Sequence, residues 1–193
     1  MKLKISISGT FSSGKTTLAN ELISKIPSSI LIPEHARDIK LLYPQINWTD
    51  QIVRDYMLFS QLVRETSIGN TGDLIICDSG IIESIAHSVV FEVNPRFELI
   101  EQLTHQKYDI IFICDYTTVP LVDDNVRETV PILRAKLHQT IMKLAIRLGY
   151  DPIVLRGNVD ERTSSVLKVL KKPKSRIVNY GQFRKKYKNI SSM

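Results

Sequence analysis

Nine residues near the start of the chain, Gly9-Thr10-Phe11-Ser12-Ser13-Gly14-Lys15-Thr16-Thr17, have the types and spacing to hold a chain of phosphates. The pattern G-x-x-x-x-G-K-[ST] is filled by Gly9, Gly14, Lys15 and Thr16. It lies between an alternating apolar run, Leu3 to Ser8, and a helix-like run that begins at Thr17. The glycines let backbone N–H groups, those around Ser12 and Ser13 included, turn inward on an anion. Lys15 reaches the β- and γ-phosphates, the Thr16 hydroxyl is a Mg²⁺ ligand, and Thr17 continues a helix whose N-terminus favours negative charge. The stretch therefore implies ATP with Mg²⁺.

A second apolar run, Leu74-Ile75-Ile76-Cys77, ends in Asp78. A carboxylate at that point suits a second Mg²⁺ contact, direct or through water. The residue after it is Ser79, so the Asp-Glu pair that activates water in motor ATPases is missing. Ile81 occupies the last place of what would be D-x-x-G, and no N-K-x-D occurs, which argues against a GTPase switch. What remains is phosphoryl transfer to a small acceptor. Glu34, just beyond the short run Ser29-Ile30-Leu31-Ile32 and Pro33, is positioned to receive or orient the acceptor hydroxyl, with Arg37 a helical turn further on. His35 is the histidine nearest this chemistry. Arg127 and Arg134, seven residues apart on one helix face, are candidates for cationic closure over the transferring group.

These residues need a scaffold, and the chain supplies one by alternating strand-like and helix-like segments, the pattern of an α/β domain with a parallel sheet. Five strands are expected, at 3–8, 29–32, 73–78, 108–115 and 152–155. Helices are expected near 16–26, 48–68, 81–92, 95–106 and 160–170. In the second of these, Ile52, Tyr56, Phe59 and Val63 form the apolar stripe, and Trp48 at its start reads as core. The clearest helix carries Val130, Leu133, Leu137, Ile141, Leu144 and Leu148 on one face and ends at Gly149. Ligands of open α/β sheets sit beyond the C-terminal strand ends, where the phosphate loop, Glu34, Asp78, Asp115 and Gly157-Asn158 all fall.

Composition sets the outer bounds. At 193 residues with 43% apolar and 24% charged side chains, one well-buried domain is expected over 1–170. No apolar run approaches the ~20 residues of a membrane span, and the N-terminus runs straight into the first strand, so a cytosolic chain is expected. Cys77 and Cys114 each sit at the end of an apolar run and read as small buried hydrophobes. The histidines have no metal-ligand spacing. The net charge of +6 is a property of residues 171–193, which hold eight Lys or Arg and no acid, leaving 18 basic against 20 acidic residues in the body. That tail offers a surface to RNA or to a membrane, but a solvated extension is the reading taken, and nucleic acid is not favoured as a partner.

The series G-T-F-S-S-G-K-T-T-L, P-E-H-A-R-D, I-I-C-D-S, V-D-D-N-V-R-E and G-N-V-D-E-R resembles the phosphate-loop ATPase/kinase family typified by the ribosylnicotinamide kinase domain of NadR-type proteins. The resemblance spans residues 3–170. It implies a nucleoside/nucleotide-kinase-like three-layer sandwich of strand order 2-3-1-4-5 and transfer of the ATP γ-phosphate to the 5′-hydroxyl of nicotinamide riboside. By the same resemblance Glu34 and Arg37 face the riboside. Asp123, Asp124 and Arg127 form a lid element, Asp124 on the substrate side. Gly157, Asn158 and Arg162 lie near the adenine. Asn125 stands where the family usually has Gly, a swap that keeps access to left-handed backbone conformations. The alternatives are a kinase for another nucleoside, a nucleotide or an RNA end, and a nucleotide-dependent ATPase switch. If Arg127 is a closing cation, Arg127→Ala lowers kcat far more than it raises KM for ATP, toward the about 10³–10⁵ worth of an arginine finger. Steady-state kinetics check this, and a kcat loss under about tenfold returns Arg127 to a solvated helix face.

Overall fold

The computed structural model describes residues 3–68, 72–93, 108–121 and 130–172. In chain order the elements are β1 (Leu3–Ser8), α1 (Lys15–Lys25), β2 (Ser29–Ile32), α2 (Ala36–Leu42), α3 (Gln51–Ser67), β3 (Leu74–Asp78), α4 (Ile81–Val90), β4 (Ile110–Cys114), α5 (Pro131–Arg147), β5 (Ile153–Leu155) and α6 (Val159–Leu170). The strands form one parallel sheet of order β2-β3-β1-β4-β5. All five expected strands are present. The helix expected at 95–106, the acidic loop with Asp123, Asp124 and Arg127, and the tail beyond residue 172 lie outside the described residues. None of the described helices is long and apolar enough to cross a membrane.

Register assigns each strand residue to a layer. Ile5 is level with Ile76 and Ile110, and Ile7 with Asp78 and Phe112. With Leu18, Leu22 and Val166 the apolar members of this set make the core beneath α1 and α6. The alternate positions Ile75, Cys77, Ile111 and Ile113 pack on Ile82, Ala86, Leu137 and Ile141 from α4 and α5. Both faces of β3 and β4 are covered, so their sequences are continuous apolar runs. The two thiols are buried and free. Burial pushes both above the usual thiol range, Cys114 to about 11. The C-terminus of α5 closes as expected: Gly149 takes φ 85°, its N–H reaches Ile146 C=O, and the Tyr150 N–H reaches Ala145 C=O.

α3 departs from expectation in its orientation. It runs over 51–67, capped by Asp50, but Ile52, Tyr56, Phe59 and Val63 face outward, while Arg54, Leu58, Gln61 and Glu65 are buried. Trp48 precedes the helix and is half-buried at a cavity wall. The inward polar residues are there because the core supplies partners. Glu65 Oε1 accepts from Tyr108 Oη at 2.7 Å and from Gln61 Nε2 at 2.9 Å, and Lys4 Nζ lies 2.6 Å from Oε2. Tyr108 Oη in turn accepts from the Ile81 N–H at 2.8 Å, satisfying an otherwise free donor at the start of α4. Burial and the neighbouring Glu65 push the Tyr108 phenol well above its ordinary range, so it remains a donor. A Cβ on Gly80 would stand 2.5 Å from this hydroxyl, which restricts that position to glycine.

Tyr108→Phe therefore strands the buried Ile81 N–H and removes one of the three partners of the Glu65 carboxylate. The expected loss is about 1–3 kcal/mol, the cost of one unsatisfied buried group, read by chemical denaturation. A loss below about 0.5 kcal/mol would show that the network is dispensable.

Candidate active site

The phosphate loop leaves β1 at Ser8 and enters α1 at Lys15. Gly9 has φ 151°, and a Cβ there would meet Ser13 Oγ at 2.7 Å and Cys114 O at 3.1 Å. Ser12 and Ser79 both adopt left-handed φ, 53° and 63°, at the loop and just after Asp78. For side-chain-bearing residues this is a strained geometry of the kind concentrated at binding sites.

Every carbonyl from Gly9 to Ser13 is held by a cation. Lys15 Nζ donates to Gly9 O and Thr10 O at 3.0 and 2.9 Å. Arg134 donates to Phe11 O at 3.2 Å, Ser12 O at 2.8 Å and Val119 O at 2.9 Å, with its guanidinium over the Tyr116 ring. Arg162 donates to Ser13 O at 2.6 Å and to Asp115 O at 2.7 Å. Arg134, expected beside Arg127 as a cation closing over the transferring group, is instead engaged with the loop backbone. Arg134 is buried because its helix face meets the loop, and its Nε and Nη2 donate to carbonyls there and at Val119. Arg162 is likewise buried in contact with the loop. Asn158 caps α6, its Oδ1 accepting from the Glu161 N–H while Glu161 returns a bond to the Asn158 N–H. Asp115 Oδ1 orders its own loop by accepting from Thr117, and Oδ2 accepts from Arg156.

Asp78 ends β3 level with Ile7 on the α1 side of the sheet, and its carboxylate is buried beside the Thr16 hydroxyl. Its Oδ1 has no hydrogen-bond partner. Burial raises the Asp78 carboxyl above its usual range, and the charges of Lys15 and Arg37 pull it back. A carboxylate oxygen with no partner next to a hydroxyl and a phosphate loop fits a divalent cation: Thr16 and Asp78 are the residues that would hold Mg²⁺.

Two cavities meet at this edge. One, of about 250 Å³, runs along Ser12 to Thr17 and is bounded by Glu34 and Arg37. The other, of about 430 Å³, is a half-open cleft bordered by α2, α3 and α4 and the loop before α3, and is lined by Glu34, Trp48, Arg54, Glu83 and His87. Glu34 and Phe11 border both. Glu34 precedes α2, whose cap is His35, so Glu34 and Arg37 are not the within-helix pair expected. They instead stand at the junction and the mouth. Burial and the Arg64 charge lower the His35 imidazole below its ordinary range, with Asp38 opposing.

Sequence reasoning missed Glu83. It is buried on α4, accepts from the Gly9 N–H at 3.3 Å and from Ser79 Oγ at 3.1 Å, and lies 3.2 Å from Lys15 Nζ. Its one signal was an acid within the apolar helix I-I-E-S-I-A-H-S-V-V.

A phosphate loop, a buried carboxylate at the end of the neighbouring strand and the order 2-3-1-4-5 define a phosphate-loop fold of the nucleotide-kinase kind. The AAA_28 family (AAA domain) matches residues 4–162, and the chain belongs to it. The chain is 25% identical over 189 residues to a probable thymidylate kinase 1 of Saccharolobus solfataricus, covering 89% of this chain and 98% of that protein. Among solved structures, NadR protein in complex with NR superposes with a TM-score of 0.68 at 15% identity over 88% of this chain, which spans only 50% of the NadR chain. Thymidylate kinase from Ehrlichia chaffeensis gives a TM-score of 0.65 at 18% identity over 88% of this chain and 99% of that one.

Arg134→Lys separates the two readings of that arginine. A closing cation tolerates the exchange, whereas a fork spanning three carbonyls does not, because an ammonium cannot reproduce its geometry. Loss of one charge-assisted bond, at about 1.5–3 kcal/mol, is expected to lower thermal stability and to weaken nucleotide binding about tenfold or more. Calorimetric ATP titration with a melting curve reads both, and unchanged affinity in a fully stable variant would exclude the fork.

Proposed function

We propose that the protein is an ATP-dependent phosphotransferase that moves the γ-phosphate from the loop cavity to the hydroxyl of a nucleoside-type acceptor in the larger cavity. The observation that carries this reading is the shared wall: Glu34 borders both spaces, so a donor and an acceptor bound together meet at its carboxylate. Lys15 neutralises the β- and γ-phosphates, Glu34 orients or deprotonates the acceptor hydroxyl, and Arg37 adds charge at the mouth. Bound at Thr16 and Asp78, Mg²⁺ supplies charge neutralisation of the phosphates. The cleft's volume lies within the range of small-molecule sites, and three helices contribute to its walls. Nicotinamide riboside is the acceptor favoured by the residue pattern, and the NadR complex with NR agrees with that choice at the level of fold. Thymidine monophosphate is the second reading, with transfer to an oxygen of its 5′-phosphate in place of a hydroxyl, favoured by the near full-length similarity to a probable thymidylate kinase. The domain over 1–170 is proposed to carry the activity without the basic tail.

The test is mass spectrometry of the reaction with Mg²⁺-ATP and both acceptors, with Lys15→Ala as the inactive control. Glu34→Gln is expected to cost about 10²–10⁴ in kcat, the worth of a general base, with little change in ATP binding. Asp78→Asn is expected to raise the Mg²⁺ needed for half-maximal rate. Transfer by Lys15→Ala at the normal rate would end the assignment. A Mg²⁺ shift in Glu34→Gln and none in Asp78→Asn would reverse the two roles.

A further inference from the structure

The far end of the larger cavity holds a cation that the transfer chemistry does not use. Arg54, on α3, is 7% exposed. Its guanidinium stacks over the Phe91 ring at 4.6 Å, and among the described residues no carboxylate or carbonyl accepts from it. Its Nε is buried with no partner. Buried arginines are ordinarily paired, and the other two at this site, Arg134 and Arg162, donate to backbone carbonyls as described above. Burial lowers the Arg54 guanidinium to about 10, so it remains charged at neutral pH.

Position along α4 says which part of a ligand meets it. Glu83 touches the phosphate loop, and Phe91 follows eight residues later, about 12 Å along the helix at 1.5 Å per residue. The acidic groups that line this cavity, Glu34 and Glu83, are both at the loop end. At the far end stands Arg54; His87, its Nε2 3.9 Å from Glu83, lies between the two, and burial with the Arg54 and Lys15 charges pushes its imidazole well below its ordinary range, leaving it neutral. The cavity is thus polarised, acid where the hydroxyl reacts and cationic at the opposite end, where the ring of a nucleoside-type acceptor would lie.

Resting on the reading that this cavity takes the acceptor, we infer that the acceptor carries a carboxylate on its ring, held by Arg54. A planar fork beside an aromatic face fits a ring carboxylate through two parallel bonds, and a neutral amide offers only one oxygen. Among pyridine ribosides the inference therefore selects the acid over the carboxamide that the residue pattern alone favours, because a pyridinium carboxamide would leave the charge of Arg54 unpaired and bring a second positive charge toward it.

Two acceptor pairs that differ only in this group test the inference: nicotinate riboside against nicotinamide riboside, and orotidine against uridine. In each pair wild-type kcat/KM is expected to favour the acid by about 30-fold or more, the loss seen when one member of a buried charge pair is removed. Arg54→Gln is expected to bring both ratios to within about threefold of unity, and Arg54→Lys to keep part of the preference. Ratios taken within one variant do not respond to a loss of folded enzyme. Indifference of the wild type to the carboxylate, or a preference that survives in Arg54→Gln, overturns the inference and leaves the kinase reading intact. If none of these four nor thymidine monophosphate is phosphorylated, the kinase reading falls instead, and calorimetric binding of the same four compounds to wild type then decides: tighter binding of the two acids supports the carboxylate site, and equal or absent binding rejects it.

Discussion

The site depends on one arrangement, the outward capture of five successive loop carbonyls by three cations. A peptide unit whose oxygen is pulled to one side presents the N–H of the next residue to the other. Holding the oxygens of Gly9 to Ser13 on Lys15, Arg134 and Arg162 therefore biases the intervening N–H groups toward the cleft. An anion then meets donors already oriented, and the entropy of ordering the loop has been met by packing. The two arginines approach from opposite layers, Arg134 on α5 from the face shared with α4 and Arg162 on α6 from the face shared with α1. The loop is thus fixed to both halves of the sandwich.

That dependence explains what was legible in the sequence. The strands were readable because β3 and β4 are covered on both faces and so appear as unbroken apolar runs. The phosphate loop was readable because its geometry restricts residue type: at φ 151° and with Cys114 O 3.1 Å from a would-be Cβ, position 9 admits only glycine. Asp78 was readable because a carboxylate closing such a run stands out. The arginine fork was not, since nothing local separates a guanidinium that spans loop carbonyls from one that covers a helix surface. Arg134 has the seven-residue spacing from Arg127 of a solvated face, and only the fold shows that this face meets Phe11 and Ser12.

α3 is the clearest failure of periodicity. Its apolar stripe and its buried face both repeat at helical spacing, and the pattern does not say which one turns inward. The usual presumption in favour of the apolar stripe fails because Glu65 is held by Lys4, Tyr108 and Gln61, so that burying this polar face incurs no unpaired charge there. The same helix carries Arg54 inward without such a partner, and the contrast between the two ends of one helix face is itself informative. Glu65 is buried against the central strand β1 and satisfied by protein, whereas Arg54 is buried beside a cavity and is not.

Lys15 links the resting loop to the occupied one. Its ammonium is placed among Gly9 O, Thr10 O and Glu83, so an arriving triphosphate does not meet a free cation but competes for one. Glu83 also holds the Gly9 N–H, and with Asp78 it gives the dry end of the cleft two carboxylates against one ammonium. Burial and each other's charge push the Glu83 carboxyl above its ordinary range, while Lys15 opposes this. Drawing Lys15 toward the β- and γ-phosphates removes charge compensation from Glu83 at the moment that a divalent cation at Thr16 and Asp78 would restore it. On the proposed reading a nucleotide and a divalent cation would bind better together than either alone, because the buried acids require a cation in both states of the loop.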